Sequence, residues 1–177
     1  TVITLICASF TVPLSAKLGR KELGIAAALF GAAVLFVTNF LKLQNAYVFV
    51  VFYTFAYVGI AIFSLITWAM ITDVIDDAQV HDGRRSDGTI YSVYSFARKV
   101  GQAASSGVAG LLLSIIGYSQ ATAFEPSVVN GIYHITCLAP AVGFVLLALS
   151  LAFLYPLDRK KVQENARILV EKENEAK

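Results

Sequence analysis

Between Ala46 and Thr72 the chain carries no charged residue, and the first to appear opens the group Asp73-Val74-Ile75-Asp76-Asp77. A run of this length exceeds the ~20 apolar residues that take a helix across the ~30 Å hydrocarbon core of a bilayer. Lipid offers no hydrogen-bond partners, so a spanning segment satisfies its backbone internally, as a helix, or within a closed barrel. The apolar run is continuous rather than alternating, which rules out the barrel strand. Leaving water is costly for an ion, so the acids that close this run, and Lys99 inside the next one, are functional candidates by default.

The same pattern recurs along the chain. Apolar segments extend over 1–16, 23–40, 46–75, 89–116 and 132–155, and Pro156 ends the last. Residues are 57% hydrophobic and only 15% charged, against ~25% charged in soluble domains. The fold class that follows is all-α and polytopic in the membrane, with a bundle over 1–156 and a polar tail over 157–177. The tail is expected to be a surface helix with Val162, Ala166 and Leu169 on one side. A net charge of +2, with the cations at segment ends, gives no nucleic-acid surface. Cys7 and Cys137 both lie inside apolar runs and form no disulfide framework. The chain begins at Thr1, within an apolar stretch and without a basic leader; it reads as a product whose beginning is missing.

Lys17, Arg20 and Lys21 separate the first two segments, Arg84 and Arg85 separate the third and fourth, and Arg159, Lys160 and Lys161 follow the fifth. The alternate loops hold only Lys42. By the positive-inside rule the first set is cytoplasmic, as is the C-terminus, and five spans alternate consistently with that.

The fourth segment carries the chemistry. Lys99 lies ten residues on from Thr89, about 15 Å at the helical rise and half the depth of the core. Tyr91, Ser95, Lys99, Gln102 and Ser106 fall on one helix face, a polar stripe that belongs against a bundle interior or a water-filled cavity. Structural pairing or snorkelling of Lys99 is the plainer alternative. Gly101, Ser105 and Ala109 recur at spacing four and suit close helix packing. On the third segment Tyr53, Tyr57, Ser64 and Trp68 share a face. Rings with a polar edge suit sugars, and Trp68 is a substrate candidate, with helix packing as the alternative.

Asp73 and Asp76 share a face at a helix C-terminus, where the dipole disfavours negative charge. Cations on the same side, Arg84, Arg85 and the Lys17–Lys21 loop, are the expected compensation, and such a cluster acts as a gate when its pairs form and separate. Asp77, Asp82 and Asp87 read as solvated loop charges. A metal site from Asp73, Asp76, Asp77 and His81 would point to a Mg²⁺-dependent prenyl or lipid transferase, but the second acidic cluster of such enzymes is missing. His134 reads as an interface histidine.

Three stretches in order, Trp68 to Asp76, Gly83 to Ser92 and Phe96 to Ala103, resemble the glycoside–pentoside–hexuronide:cation symporters of the major facilitator superfamily, of which melibiose permease is a member. The resemblance implies helices eight to twelve of a twelve-helix fold and a cytoplasmic tail. It matches Asp73, Asp76 and Arg85 to the family's cytoplasmic gate and Lys99 to its functional lysine. Asp77 stands where an aromatic is common, Gln79 where an acid is common, and Ala16 replaces the acid usual in the basic loop. The implied function is sugar:cation symport by alternating access in the plasma membrane, not an enzyme activity. Tyr91, Ser95, Gln102 and Trp68 would line the cavity, with Lys99 at its wall and Asp73, Asp76, Arg84 and Arg85 at the gate. The implied partners are the bilayer, a sugar or glycoside and a missing N-terminal bundle. No cofactor is implied; the coupling ion, Na⁺, H⁺ or Li⁺, would bind outside this chain. The alternative is a non-transporting structural or regulatory membrane subunit.

Overall fold

A computed structural model describes residues 2–175. It consists of α1 (Val2–Leu18), α2 (Arg20–Leu41), α3 (Ala46–Asp82), α4 (Asp87–Ile115), α5 (Pro126–Leu154) and α6 (Arg159–Glu175). There is one helix for each apolar segment and one for the tail. Three of them, α2, α3 and α5, are long and apolar enough to cross a membrane. α1 is shorter, at 17 residues, and α4, as long as α5, is less apolar because of its polar stripe.

Local chemistry sets the boundaries. The Asn45 side chain caps α3 by accepting from the backbone N–H of Tyr47 at 2.9 Å. The helix then runs 37 residues, about 55 Å, well past the expected end near Ile75. Nothing between Asp76 and Asp82 breaks a helix; Gly83, at φ 68° in the left-handed region, is the residue that stops it. The expected interval between the third and fourth apolar segments, 76–88, therefore shrinks to the turn between Asp82 and Asp87. Asp87 opens α4, where its charge suits the helix N-terminus. Pro126 opens α5, earlier than the expected Ile132, because a proline needs no N–H partner in the first helical turn.

α2 is the centre of the bundle, with α3 on one side and α5 on the other. Its small residues make this possible. Ala28 and Ala32 are buried with Leu35 against Ala56 of α3 and Ala141, Phe144 and Ala148 of α5. Helices in lipid gain no hydrophobic drive from each other and associate by close van der Waals contact, which small residues permit. The closest point is Gly59: a Cβ there would lie 2.5 Å from the Ala27 carbonyl oxygen. A second layer, Leu23, Ile66, Met70 and Leu151, closes the bundle toward the α1–α2 turn.

α4 stands apart. It contacts chiefly α3 and buries none of its residues. The small residues Gly101, Ser105 and Ala109, expected to seat a neighbouring helix, are exposed, and the space beside Gly101 is open. The close-approach seam lies instead on α2, whose neighbours are in the chain.

Candidate functional site

The C-terminal third of α3 carries four carboxylates, and three of them, Asp73, Asp76 and Asp77, each tie it to a different element. Asp73 is 5% exposed and forms an ion pair with Arg20 at the start of α2. The same guanidinium nitrogen reaches the Ala69 carbonyl at 3.2 Å. Asp73 Oδ2 is buried and has no hydrogen-bond partner among the described residues. Asp76 pairs with Arg85 at 3.1 Å, across the α3–α4 turn. Arg85 also donates to Gln79 Oε1 at 3.0 Å and Asp87 Oδ2 at 3.0 Å. The pull of Asp87, and then of Asp76, raises the Arg85 pKa further from its already high value. Asp77 accepts from Asn165 Nδ2 at 2.8 Å and faces Lys161 Nζ at 3.4 Å, both on α6.

The arrangement eases the dipole problem at this helix end, since Asp73, Asp76 and Asp77 each face a cation. It gathers Asp73, Asp76 and Arg85, but leaves Arg84 exposed and, among the described residues, without an ion pair. Arg84 is drawn away because Gly83 turns the chain there and Arg85 is the residue that points back to α3. The partner of Asp73 is Arg20, visible in sequence only as one of three cations in a loop. Asp77 is not a solvated loop charge: α3 continues through it, and α6 covers it. The face of α6 that docks centres on buried Asn165, with Val162 and Leu169 half-buried and Ala166 exposed. His81 Nδ1 lies 3.8 Å from Asp77 Oδ1, but Asp73 and Asp76 turn to other partners, and no group of three or more potential metal ligands forms among the described residues.

Above this junction Trp68 stacks on Tyr91 of α4, ring centroids 5.5 Å apart, and meets Tyr94 edge-on at 5.8 Å. Tyr94 is an addition to the sequence reading. The close Trp68–Tyr91 stack leaves no room for a sugar ring between the two. Tyr53 and Tyr57 do not join the cluster; they line a separate cavity of about 210 Å³ with Leu35, Ile60 and Phe144. Beyond Tyr91 the stripe continues along α4 through Ser95, Lys99, Gln102 and Ser106, all exposed. Among the described residues Lys99 has no ion-pair partner, and no other helix of the chain covers this face. At the opposite end of the bundle His134 Nδ1 lies 2.7 Å from Asn39 Oδ1, and Tyr133 donates to the Thr38 carbonyl at 2.6 Å, joining α5 to α2.

The sequence profile of the MFS/sugar transport protein family matches residues 1–159. The chain is 35% identical over 131 residues to the uncharacterized symporter YjmB of Bacillus subtilis (strain 168), covering 74% of this chain and 28% of that protein. It is 31% identical over 162 residues to the glucuronide carrier protein homolog of Escherichia coli (strain K12), covering 92% and 35%. A third relative, the sodium-dependent lysophosphatidylcholine symporter 1 of Gallus gallus, is 34% identical over 114 residues, 63% of this chain and 22% of the relative. The chain thus spans about a third or less of the length of these curated relatives.

Proposed function

We propose, from the premise that this chain belongs to the MFS/sugar transport protein family, that it supplies the C-terminal helices of a sugar:cation symporter working by alternating access. The observation that carries the reading is the open polar face of α4. A membrane helix with Lys99 at mid-depth and Ser95 and Gln102 beside it needs a polar or aqueous surface opposite. Among the described residues nothing in the chain provides one. A second helical bundle facing α4 would, and transporters of this kind place substrate near the bilayer midplane between two such halves. The names of the relatives, a glucuronide carrier homolog and two symporters, favour an organic solute moved with a cation. Lys99 would organise charge at the cavity wall, Tyr91, Ser95 and Gln102 would face substrate, and the membrane would be the plasma membrane with the C-terminus in the cytoplasm.

The junction at the end of α3 supplies the conformational part. Arg20–Asp73 and Asp76–Arg85 hold α2, α3 and the α3–α4 turn together, and separating them opens this end of the bundle. Such a cluster biases a two-state equilibrium only by the difference in its contacts between the states. Trp68, Tyr91 and Tyr94 lie between the junction and Lys99 along α3 and α4, as an aromatic layer separating the cavity from the gate.

The deciding experiment is solute uptake by the full-length transporter carrying Lys99→Leu. Uphill accumulation of a labelled glycoside or glucuronide should fall at least tenfold with membrane insertion unchanged. Lys99→Arg should be impaired as well, because a planar guanidinium does not replace a compact ammonium. Normal accumulation by Lys99→Leu would overturn the assignment.

A further inference from the structure

Lys99 does not stand alone at mid-depth on α4, because Arg98 precedes it. The helix has 29 residues, and both cations lie within about 5 Å of its midpoint at the helical rise. With the helix centred in a ~30 Å core, the nearer surface is about 10 Å away, farther than either side chain extends. Both are exposed, and among the described residues neither has an ion-pair partner. The other helices offer no acid at this depth: there is no Asp or Glu over 23–72, 88–124 or 126–157. Asp73, Asp76 and Asp77 are engaged at the end of α3, by Arg20, Arg85 and Lys161.

Arg98 widens the polar stripe rather than facing away from it. At about 100° per residue it is turned about 20° from Tyr91 and about 40° from Gln102. Tyr94 lies one turn before it and Gln102 one turn after. Tyr91 and Tyr94 meet Trp68 of α3, so Arg98 is the first charged position beyond the aromatic layer on the side away from the gate. Ser95 precedes it on the same face. Among the described residues the Ser95 hydroxyl and the Gln102 amide have no hydrogen-bond partner. Neutral donors and acceptors, the groups that suit sugar hydroxyls, thus stand on both sides of an unpaired guanidinium.

We infer that Arg98 binds a carboxylate on the transported solute, which makes that solute a sugar acid rather than a neutral glycoside. The assignment rests on the symporter reading and names the substrate class for it. A guanidinium presents a planar fork that pairs with a carboxylate through two parallel hydrogen bonds, which an ammonium cannot do. Ser95 and Gln102 take hydroxyls of the same ring. Lys99, turned about 100° from Arg98, keeps its place as the charge at the cavity wall. Away from bulk water an unpaired cation is costly, and so is an unpaired carboxylate; each removes the penalty of the other. A neutral sugar leaves Arg98 unpaired.

Counterflow by the full-length transporter in proteoliposomes tests this. The probes are the methyl glycosides of glucuronic and galacturonic acid, each beside its amide, which keeps the shape and loses the charge. At subsaturating concentration the wild type should exchange at least one acid about tenfold faster than its amide, the difference expected of one charge-assisted hydrogen bond. Arg98→Gln should bring that acid and its amide within about twofold of each other, a near-complete loss of the charge term. It should do so by slowing the acid alone, and retained exchange of the amide shows that the variant is folded. Arg98→Lys, which keeps the charge and loses the fork, should fall between the two. Equal exchange of acid and amide by the wild type would overturn the assignment without any variant. So would an Arg98→Gln that keeps the preference, or one that slows acid and amide alike, the result if Arg98 pairs with an acid of the second bundle. Exchange of methyl glucoside but of neither acid would overturn the assignment and leave the symporter reading intact. Exchange of none of these sugars would overturn both.

Discussion

Asp73 and Arg20 illustrate how one buried ion pair constrains a membrane protein. The carboxylate side chain is 4% exposed and the guanidinium 36%, so the acid depends on the base far more than the reverse. Removing one partner of such a pair leaves an uncompensated buried charge, a loss of about 3 kcal/mol or more, whereas removing both is much milder. Arg20→Leu should therefore lower the thermal stability of the detergent-solubilised protein strongly. Arg20→Leu combined with Asp73→Leu should recover most of it, and a double variant as unstable as the single would show that the pair contributes nothing by itself. Arg85 behaves differently. Its charge is held up by Asp87 and Asp76, and a cation with a raised pKa keeps its contribution at every pH below its ordinary, already very alkaline range. Its contacts are thus not lost on raising pH within the physiological range. If the junction gates as proposed, it should respond to Arg85→Gln but not to alkalinisation to pH 9, as read by alkylation of a cysteine placed at Val93 on α4.

At the scale of the elements, α2 and α4 make opposite use of small residues. On α2 and α3 small side chains set the helix separation, and Gly59 has no room for even a methyl group beside the Ala27 carbonyl. Gly59→Ala should cost about 1–3 kcal/mol by overpacking, read as a lower melting temperature. Gly101→Ala, in open space, should be neutral or raise helix stability by up to ~1 kcal/mol within this chain. If Gly101→Ala proves harmful only when the proposed partner bundle is present, a helix of that bundle packs there. α6 is held by Asn165 and Lys161 on Asp77. Asp77→Leu should free it, increasing hydrogen exchange and protease cleavage over residues 159–175 while leaving α2 and α5 protected.

For the whole molecule, the alternation of cations between loops predicts sidedness. Ser86 and Ser127 lie at opposite ends of α4, the first before its start and the second after the turn that follows it. Cysteines at these positions, in a background without Cys7 and Cys137, should label from opposite faces of the membrane; labelling of both from outside would contradict the five-span arrangement. The exposed stripe on α4 carries a second consequence. Liposomes containing only these 177 residues should show no counterflow of a labelled glycoside, and activity should require an added helical bundle.

The sequence by itself determined the all-α membrane class, the approximate place of each helix and the family, because the transfer of apolar runs into lipid is local and additive along the chain. It also marked Asp73, Asp76, Arg85 and Lys99, since a charge within or beside an apolar run is conspicuous at once. Only the tertiary structure decided partners. Nothing in the spacing of Arg20 and Asp73, or of Asp77 and Asn165, sets them against each other; helix crossing angles and the length of α3 do that. For the same reason Arg84 and Arg85 are equivalent as neighbours in sequence and different in space, Gly83 having turned one away. Trp68 and Tyr91 lie on different segments with nothing in their spacing to pair them, and the meeting of α3 and α4 stacks them on each other. A side chain's chemistry is written in its own position, but its neighbours are set by the summed packing of all the helices.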